Sequence, residues 1–234
     1  MTAEPPPAGT RRLVRRKTSE AVVDYVVEQI FTGQLRSGDR IDHDAIGDVL
    51  GVSRLPIREA MVILERDGIV FTRYHRGVYV EPFDADSIVD DFQILGLLSG
   101  VAVRRLAEHP DDEAIAELRR LVDELAAVDP AENDRIIQLV YGIMTIEHRA
   151  GASRRLRAQL RAYAGFIPHA FRYTDRDHAD TVRAHRQVLD AIVAGDGERA
   201  ARHRLEDFLD AGASVVRGLR KRGVIDGAEE PGDA

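Results

Sequence analysis

The sequence predicts a mainly helical chain of two unlike units, and three observations carry that prediction. Apolar residues recur at helical spacing from about Thr18 to Gly218. That period is interrupted by "IVFTRYHRGVYVEP", whose β-branched and aromatic residues flank a turn containing Gly77 and so read as two short strands. Charge divides at the same place: residues 1–82 hold 12 Lys and Arg against 12 Asp and Glu, and the remainder holds 21 against 28. The whole net charge of -7 therefore belongs to the second part. The expected units are three helices and a hairpin over 15–82 and an all-helical bundle over 86–222. Tails at 1–14 and 223–234 are expected to be disordered.

The first helix is expected to start at Thr18 as N-cap, with Val23, Val26, Val27 and Ile30 on one face, and to stop near Gly33. After the turn "LRSGDRI", a short helix presents Ala45, Ile46, Val49 and Leu50, and Gly51 is its natural stop. The next helix carries Ile57, Ala60, Met61 and Leu64 at i, i+3, i+4 and i+7, with Ser53 as its cap. Pro56 falls in its first turn, where backbone N–H groups have no intrahelical partner and a missing donor costs little. Asp67-Gly68 ends that helix. A short linker around Pro82 to Ala85 leads into the bundle. One seam there is Ile88, Phe92, Leu95, Ala102 and Leu106, and a second is Ile115, Leu118, Val122 and Leu125. Pro130 marks the first turn of a third helix, which holds Ile136, Leu139, Val140 and Ile143.

Composition removes several classes of function. The absence of cysteine excludes disulfides and thiolate sites. No apolar run approaches the roughly 18 residues of a membrane helix, and no signal core is present, so a cytoplasmic protein without membrane contact is expected. There is no Gly-rich phosphate loop, G-x-S-x-G or H-E-x-x-H motif. No catalytic residue is assigned, and no cofactor is expected.

Helix, short helix, tight turn and a second helix with exposed arginines is a helix-turn-helix arrangement, and the hairpin adds a wing. Arg54 and Arg58 lie one turn apart near the N-terminal end of the second helix. From there arginine can reach guanine edges in the major groove of double-stranded DNA. Taken alone, the pair also fits a solvated face neutralised by Glu65 or Asp67. The overall acidity does not oppose a local basic surface built from "RRLVRRK", Arg54, Arg58, Arg73 and Arg76.

"LRSGDRI", "IGDVLGVSRLPIREAMVILERDGIV" and "RGVYVEP" resemble the winged helix of the GntR family of bacterial transcription regulators. The helical remainder, with "HRQVLDAIVAGD", resembles the FCD-type effector domain of its FadR-like branch. The resemblance implies DNA contacts from Ser53, Arg54, Leu55 and Arg58, with Arg76 and Gly77 at the wing tip. Asp44 departs from it, standing where several relatives carry a basic residue. In the bundle the resemblance implies a metal site at positions that here hold Val140, Met144, His185 and Asp207. An imidazole and a carboxylate remain of a donor set suited to a divalent ion. His148 and His203 each sit one turn from a lost position, so a shifted site is an alternative.

His185 faces inward with Val182, Leu189 and Ile192, whereas His43, His75, His109, His169 and His178 read as surface residues. Relatives carry Arg and Glu where this chain has Gly96 and Gly100. Either a close helix crossing or space for a bulkier ligand would offset their helix cost of roughly 1 kcal/mol each. The expected function is a ligand-responsive, homodimeric DNA-binding regulator, a repressor, that reads a pseudo-palindromic operator. Its expected effector is a fatty-acyl or lipid-derived molecule in an enlarged, dry cavity near Gly96, Gly100, Val140, Met144, His148, His185, His203 and Asp207. The alternatives are a metal-dependent sensor of a small carboxylate, a metal-dependent enzyme on the bundle, and a DNA-binding module without effector.

Overall fold

Helix α1 spans Thr18–Phe31 in the computed structural model, which describes residues 18–163 and 170–225. Thr18 is its first helical residue, not the cap outside it. The expected N-terminal tail, the run Arg11 to Lys17 and His169 lie outside the described residues. Helix α1 buries Val22, Val23, Val26, Val27, Ile30 and Phe31, so the apolar spacing does define its inner face. Helix α2 (His43–Leu50) is capped by the Asp42 carboxylate, which accepts from the N–H groups of Asp44 and Ala45. Only Ile46 is buried on it, and Val49 is 63% exposed, contrary to the four-residue seam expected there. A helix of eight residues that packs mainly on one neighbour covers little more than the turn that meets it.

Gly51 closes α2 in the left-handed conformation (φ 63°), which is why the chain can turn sharply into α3 (Arg54–Arg66). Ile57, Ala60, Met61 and Leu64 are buried on α3. Ser53 occupies the extended N-cap position but makes no side-chain capping bond, a correction to its expected structural role. Strands β1 (Val70–Arg73) and β2 (Gly77–Val80) pair antiparallel with Val70 opposite Val80 and Arg73 opposite Gly77. A bridge between Arg40 and Tyr79 ties the segment before α2 to the hairpin, with backbone hydrogen bonds from Gly38 to Val80, Val80 to Asp39 and Ile41 to Val78.

Helices α4 (Ala85–Glu108), α5 (Asp112–Ala127), α6 (Asn133–Gly151), α7 (Arg154–Tyr163), α8 (His178–Val193) and α9 (Gly197–Lys221) build the bundle, with a 3₁₀ turn at Phe171–Tyr173. Asp84 and Ser87 form a reciprocal capping box that starts α4, and its expected seam is buried throughout. Pro130 lies in the turn before α6 and not in its first turn, because the helix starts three residues later at Asn133. Past α9, Gly223–Ile225 turn back on the protein, and the Val224 N–H donates to Leu219 O at 3.0 Å. Those three residues are ordered structure, contrary to the expected tail, whose remainder lies outside the described residues.

The most extensive helix contact joins α4 to α9. A Cβ at Gly96 would stand 2.9 Å from Phe208 Cβ and 3.1 Å from Leu205 Cδ1, and one at Gly100 would stand 3.2 Å from Ala201 O. Both glycines therefore serve a close helix crossing, and the space expected there for a ligand is filled. Gly96→Ala is expected to destabilise the protein by about 1–3 kcal/mol net of helix propensity, since overpacking outweighs the gain of about 1 kcal/mol from alanine. Urea unfolding of the variant checks this, and equal or higher stability would contradict the crossing.

Candidate DNA interface and effector pocket

The α2 to α3 turn presents Ser53, Arg54, Leu55 and Arg58 on one exposed surface, since the buried stripe of α3 faces the opposite way. Leu55 is 66% exposed. Arg54 pairs with Asp44 at 3.0 Å, both side chains being largely exposed. The partners expected of a solvated face are otherwise engaged: Glu65 accepts from the Thr72 N–H at 3.0 Å and Asp67 pairs with Arg66 at 2.8 Å. Arg40, Arg54 and Arg58 line one shallow concavity that extends to Gly77 and Val78, next to the hairpin turn.

Arg76 stands in the hairpin turn beside Tyr74, which is 86% exposed, and His75, whose φ is +59°. The Tyr79 hydroxyl donates to Arg76 O at 3.1 Å, which holds the turn on the strand. Gly77 has φ +110°, and a Cβ on it would come 2.9 Å from Arg40 Nε. The glycine thus lets the Arg40 guanidinium lie against the hairpin. Arg40 was not foreseen, because long-range backbone pairing with β2 brings it to this surface, although its place in "SGDRI" offered a local hint.

In the bundle, Val140, Met144, His185 and Asp207 do meet, lining one pocket between α6, α8, α9 and the 3₁₀ turn. The other four expected positions do not join them. Gly96 and Gly100 lie in the helix crossing, and His148 turns to Ser99, with Nε2 2.9 Å from Oγ. His203 lies outside the pocket lining and pairs with Glu206 at 3.1 Å. The pocket encloses about 40 Å³ and is walled by Ile136, Phe171 and Phe208 as well. The expected enlarged, dry cavity is therefore corrected: bulky side chains fill it, and its floor is ionic.

Behind that floor, against Asp207 and His185, lies Arg204, which is fully buried and was not foreseen. One terminal nitrogen reaches Asp207 Oδ2 at 2.6 Å and lies 3.3 Å from His185 Nδ1, and the other bonds Glu147 Oε1. Arg176 pairs with the second Asp207 oxygen at 2.6 Å. Burial opposes the Asp207 charge, but His185, Arg204 and Arg176 together hold its carboxyl below the usual range. Burial pushes Glu147 upward against the pull of Arg204. The Tyr141 hydroxyl is buried without a hydrogen-bond partner among the described residues, and burial raises its pKa well above the ordinary value. Two of the histidines expected at the surface are also more enclosed. The Nε2 of His43 is buried, and that of His178 lies 2.8 Å from Leu125 O.

Burial lowers His185 and His148 to about 4, from an ordinary 6.5, with Arg204 adding to the effect on both and Asp207 opposing it on His185. The unfolded chain then binds protons that the folded chain refuses, so these groups contribute stability above pH 6.5 that is lost as pH falls toward 4. The expected loss is up to about 1.4 kcal/mol per pH unit for each histidine. Denaturant titrations at several pH values should show it, and replacing either histidine with glutamine should flatten the slope.

A winged helix-turn-helix with an arginine-lined face, joined to a helical bundle with an internal pocket, defines a DNA-binding transcriptional regulator. Residues 18–80 match the bacterial regulatory proteins of the gntR family, and residues 90–208 match the FCD domain. The chain belongs to the GntR family of regulators and carries an FCD domain. An uncharacterised HTH-type transcriptional regulator of Mycobacterium tuberculosis is 36% identical over 201 residues, which cover 86% of this chain and 78% of that one. The "Probable D-xylose utilization operon transcriptional repressor" of Paenarthrobacter nicotinovorans is 28% identical, over 91% and 96% of the two chains. Among solved structures, E. coli McbR/YncC shares the fold with a TM-score of 0.64 at 18% identity, over 86% of this chain and 98% of that one. No described helix is long and apolar enough to cross a membrane.

Proposed function

We propose that this regulator is a homodimeric repressor of the FadR-like branch, binding a pseudo-palindromic operator through α3 and the wing. A compact, largely apolar effector with one uncharged polar end enters the bundle pocket and weakens that binding. The observation that carries this reading is the segment Phe171–Arg176. Phe171, Thr174 and Arg176 line the pocket, while Tyr173 stacks on Phe31 of α1 with ring centroids 4.6 Å apart and planes at 10°. The pocket is narrow, so a ligand that fills it presses on this segment, and α1, in the DNA-binding unit, would feel a shift of it.

The ionic floor supports an uncharged effector end. Arg176 and Arg204 balance Glu147 and Asp207, so a further anion would be the unpaired charge, which is very costly to bury. The Tyr141 hydroxyl, which has no partner among the described residues, can donate to an acceptor atom. The size of the pocket favours a short acyl or other compact lipid-derived molecule over a long chain. The relative named as a D-xylose operon repressor supports the repressing sign. One winged unit offers few base contacts, which supports a two-fold pair.

The test begins with duplexes selected in vitro from a random pool. Sedimentation should give twice the 26.0 kDa chain mass, and the footprint should cover two half-sites. Short-chain esters, ketones and acids should then be titrated against the complex. Release by uncharged compounds in the parent, with binding but no release in Tyr173→Ala, supports the reading. A monomer on one half-site, or normal release from Tyr173→Ala, contradicts it.

A further inference from the structure

The four positions where the family resemblance implies metal ligands meet in space, yet their donors do not suit a divalent ion. Val140 supplies no donor, and Met144 supplies only a thioether, a poor ligand for the hard or borderline ions that imidazole and carboxylate serve. Both Asp207 oxygens are taken, one by Arg176 and one by Arg204, each at 2.6 Å. His185 Nδ1 lies 3.3 Å from the Arg204 nitrogen that binds Asp207, and Glu147 bonds the other terminal nitrogen. Two carboxylates and one imidazole, from α6, α8 and α9, thus converge on a single buried cation. With the Arg204 guanidinium between them these three groups do not form a metal-binding cluster, and among the described residues no other three His, Asp or Glu side chains do.

We propose that the Arg204 guanidinium occupies the place of a metal ion in this pocket. It draws Glu147, Asp207 and His185 together and makes the pocket independent of divalent cations. The chemistry suits the part. A guanidinium is permanently charged, and its planar fork offers terminal nitrogens to two carboxylates at once, which a lysine ammonium on the same helix could not match. Arg204 is held through those two terminal nitrogens, since its Nε has no hydrogen-bond partner among the described residues. With Arg176 on the outer oxygen of Asp207, two cations face two carboxylates. A divalent ion entering there would meet an uncompensated pair of guanidinium groups in a medium of low dielectric, where like charges repel strongly.

This organisation of the pocket is independent of which effector or operator the protein binds. The experiment uses tag-free, full-length protein dialysed against chelator, then equilibrated with excess zinc or manganese, desalted and assayed for bound metal and melting temperature. The parent is expected to retain only sub-stoichiometric metal, with a melting temperature unchanged by zinc or chelator. Arg204→Ala leaves two carboxylates and an imidazole around an emptied centre. It is expected to gain on the order of one ion per chain and to melt higher with metal than without. Stoichiometric, chelator-removable metal on the parent would overturn the proposal, as would a folded Arg204→Ala that takes up no more metal than the parent. Should that variant fail to fold, Val140→Asp with Met144→His supplies donors while keeping Arg204. No gain in metal is expected there, and stoichiometric uptake overturns the proposal.

Discussion

Arg58→Ala is expected to weaken binding to the selected operator by roughly 1–3 kcal/mol and, where the guanidinium reads a base, to relax sequence preference at one position of each half-site. Arg58 lies on the exposed side of α3, one turn from Arg54, and no carboxylate pairs with it among the described residues. Its guanidinium therefore reaches DNA without first leaving a partner. Arg54 is different, because it is paired with Asp44 at 3.0 Å. A pair this exposed is worth about 0–1 kcal/mol, so the cost of sharing Arg54 with DNA is small, but Asp44 itself faces the same concavity and repels phosphate. Asp44→Ala should consequently tighten binding while Arg58→Ala loosens it. The check is a salt series for all three proteins. A phosphate-contacting arginine lowers the slope of log K against log salt by about one when removed, whereas a base-reading arginine leaves it nearly unchanged. Arg58→Ala binding as tightly as the parent at every salt concentration would remove α3 from the interface.

Glu147→Ala should have the largest effect on stability, a loss of about 3–5 kcal/mol, because it strands the Arg204 guanidinium in the bundle core. The comparison within the same chain is direct. Glu124, partly exposed on α5 and paired with Arg120 and Arg135, should cost no more than about 1 kcal/mol when truncated. Both are glutamate–arginine contacts. They differ in how readily bulk water can replace the lost partner: Glu124 is partly exposed, whereas Arg204 is fully buried. Chemical unfolding of the two variants, with slopes compared to confirm a common transition, measures the difference. A loss below about 1 kcal/mol at Glu147 would mean that Arg204 finds solvent or that Asp207 suffices alone.

The sequence by itself determined the helices, their inner faces, the wing and the family. A side chain's position along a helix or strand decides its face through backbone geometry alone, and so Ile57, Ala60, Met61 and Leu64, or the seam from Ile88 to Leu106, could be read without any partner being known. The register of the family motif likewise brought Val140, Met144, His185 and Asp207 to one pocket. Where periodicity was weakest it misled: the eight residues of α2 are too few to establish a seam, and Val49 turned out to face solvent. Tertiary structure alone decided that Gly96 and Gly100 admit a neighbouring helix and not a ligand, since an absent side chain looks the same in sequence whether its space is empty or filled. It also decided the role of Arg204. In "ARHRLEDF" that arginine reads as one more charge on a charge-rich helix. It is buried only because Glu147, 57 residues earlier, and Asp207, three residues later, both reach it. The burial of a charge depends on partners assembled in space, and no local spacing records which distant carboxylate will be there.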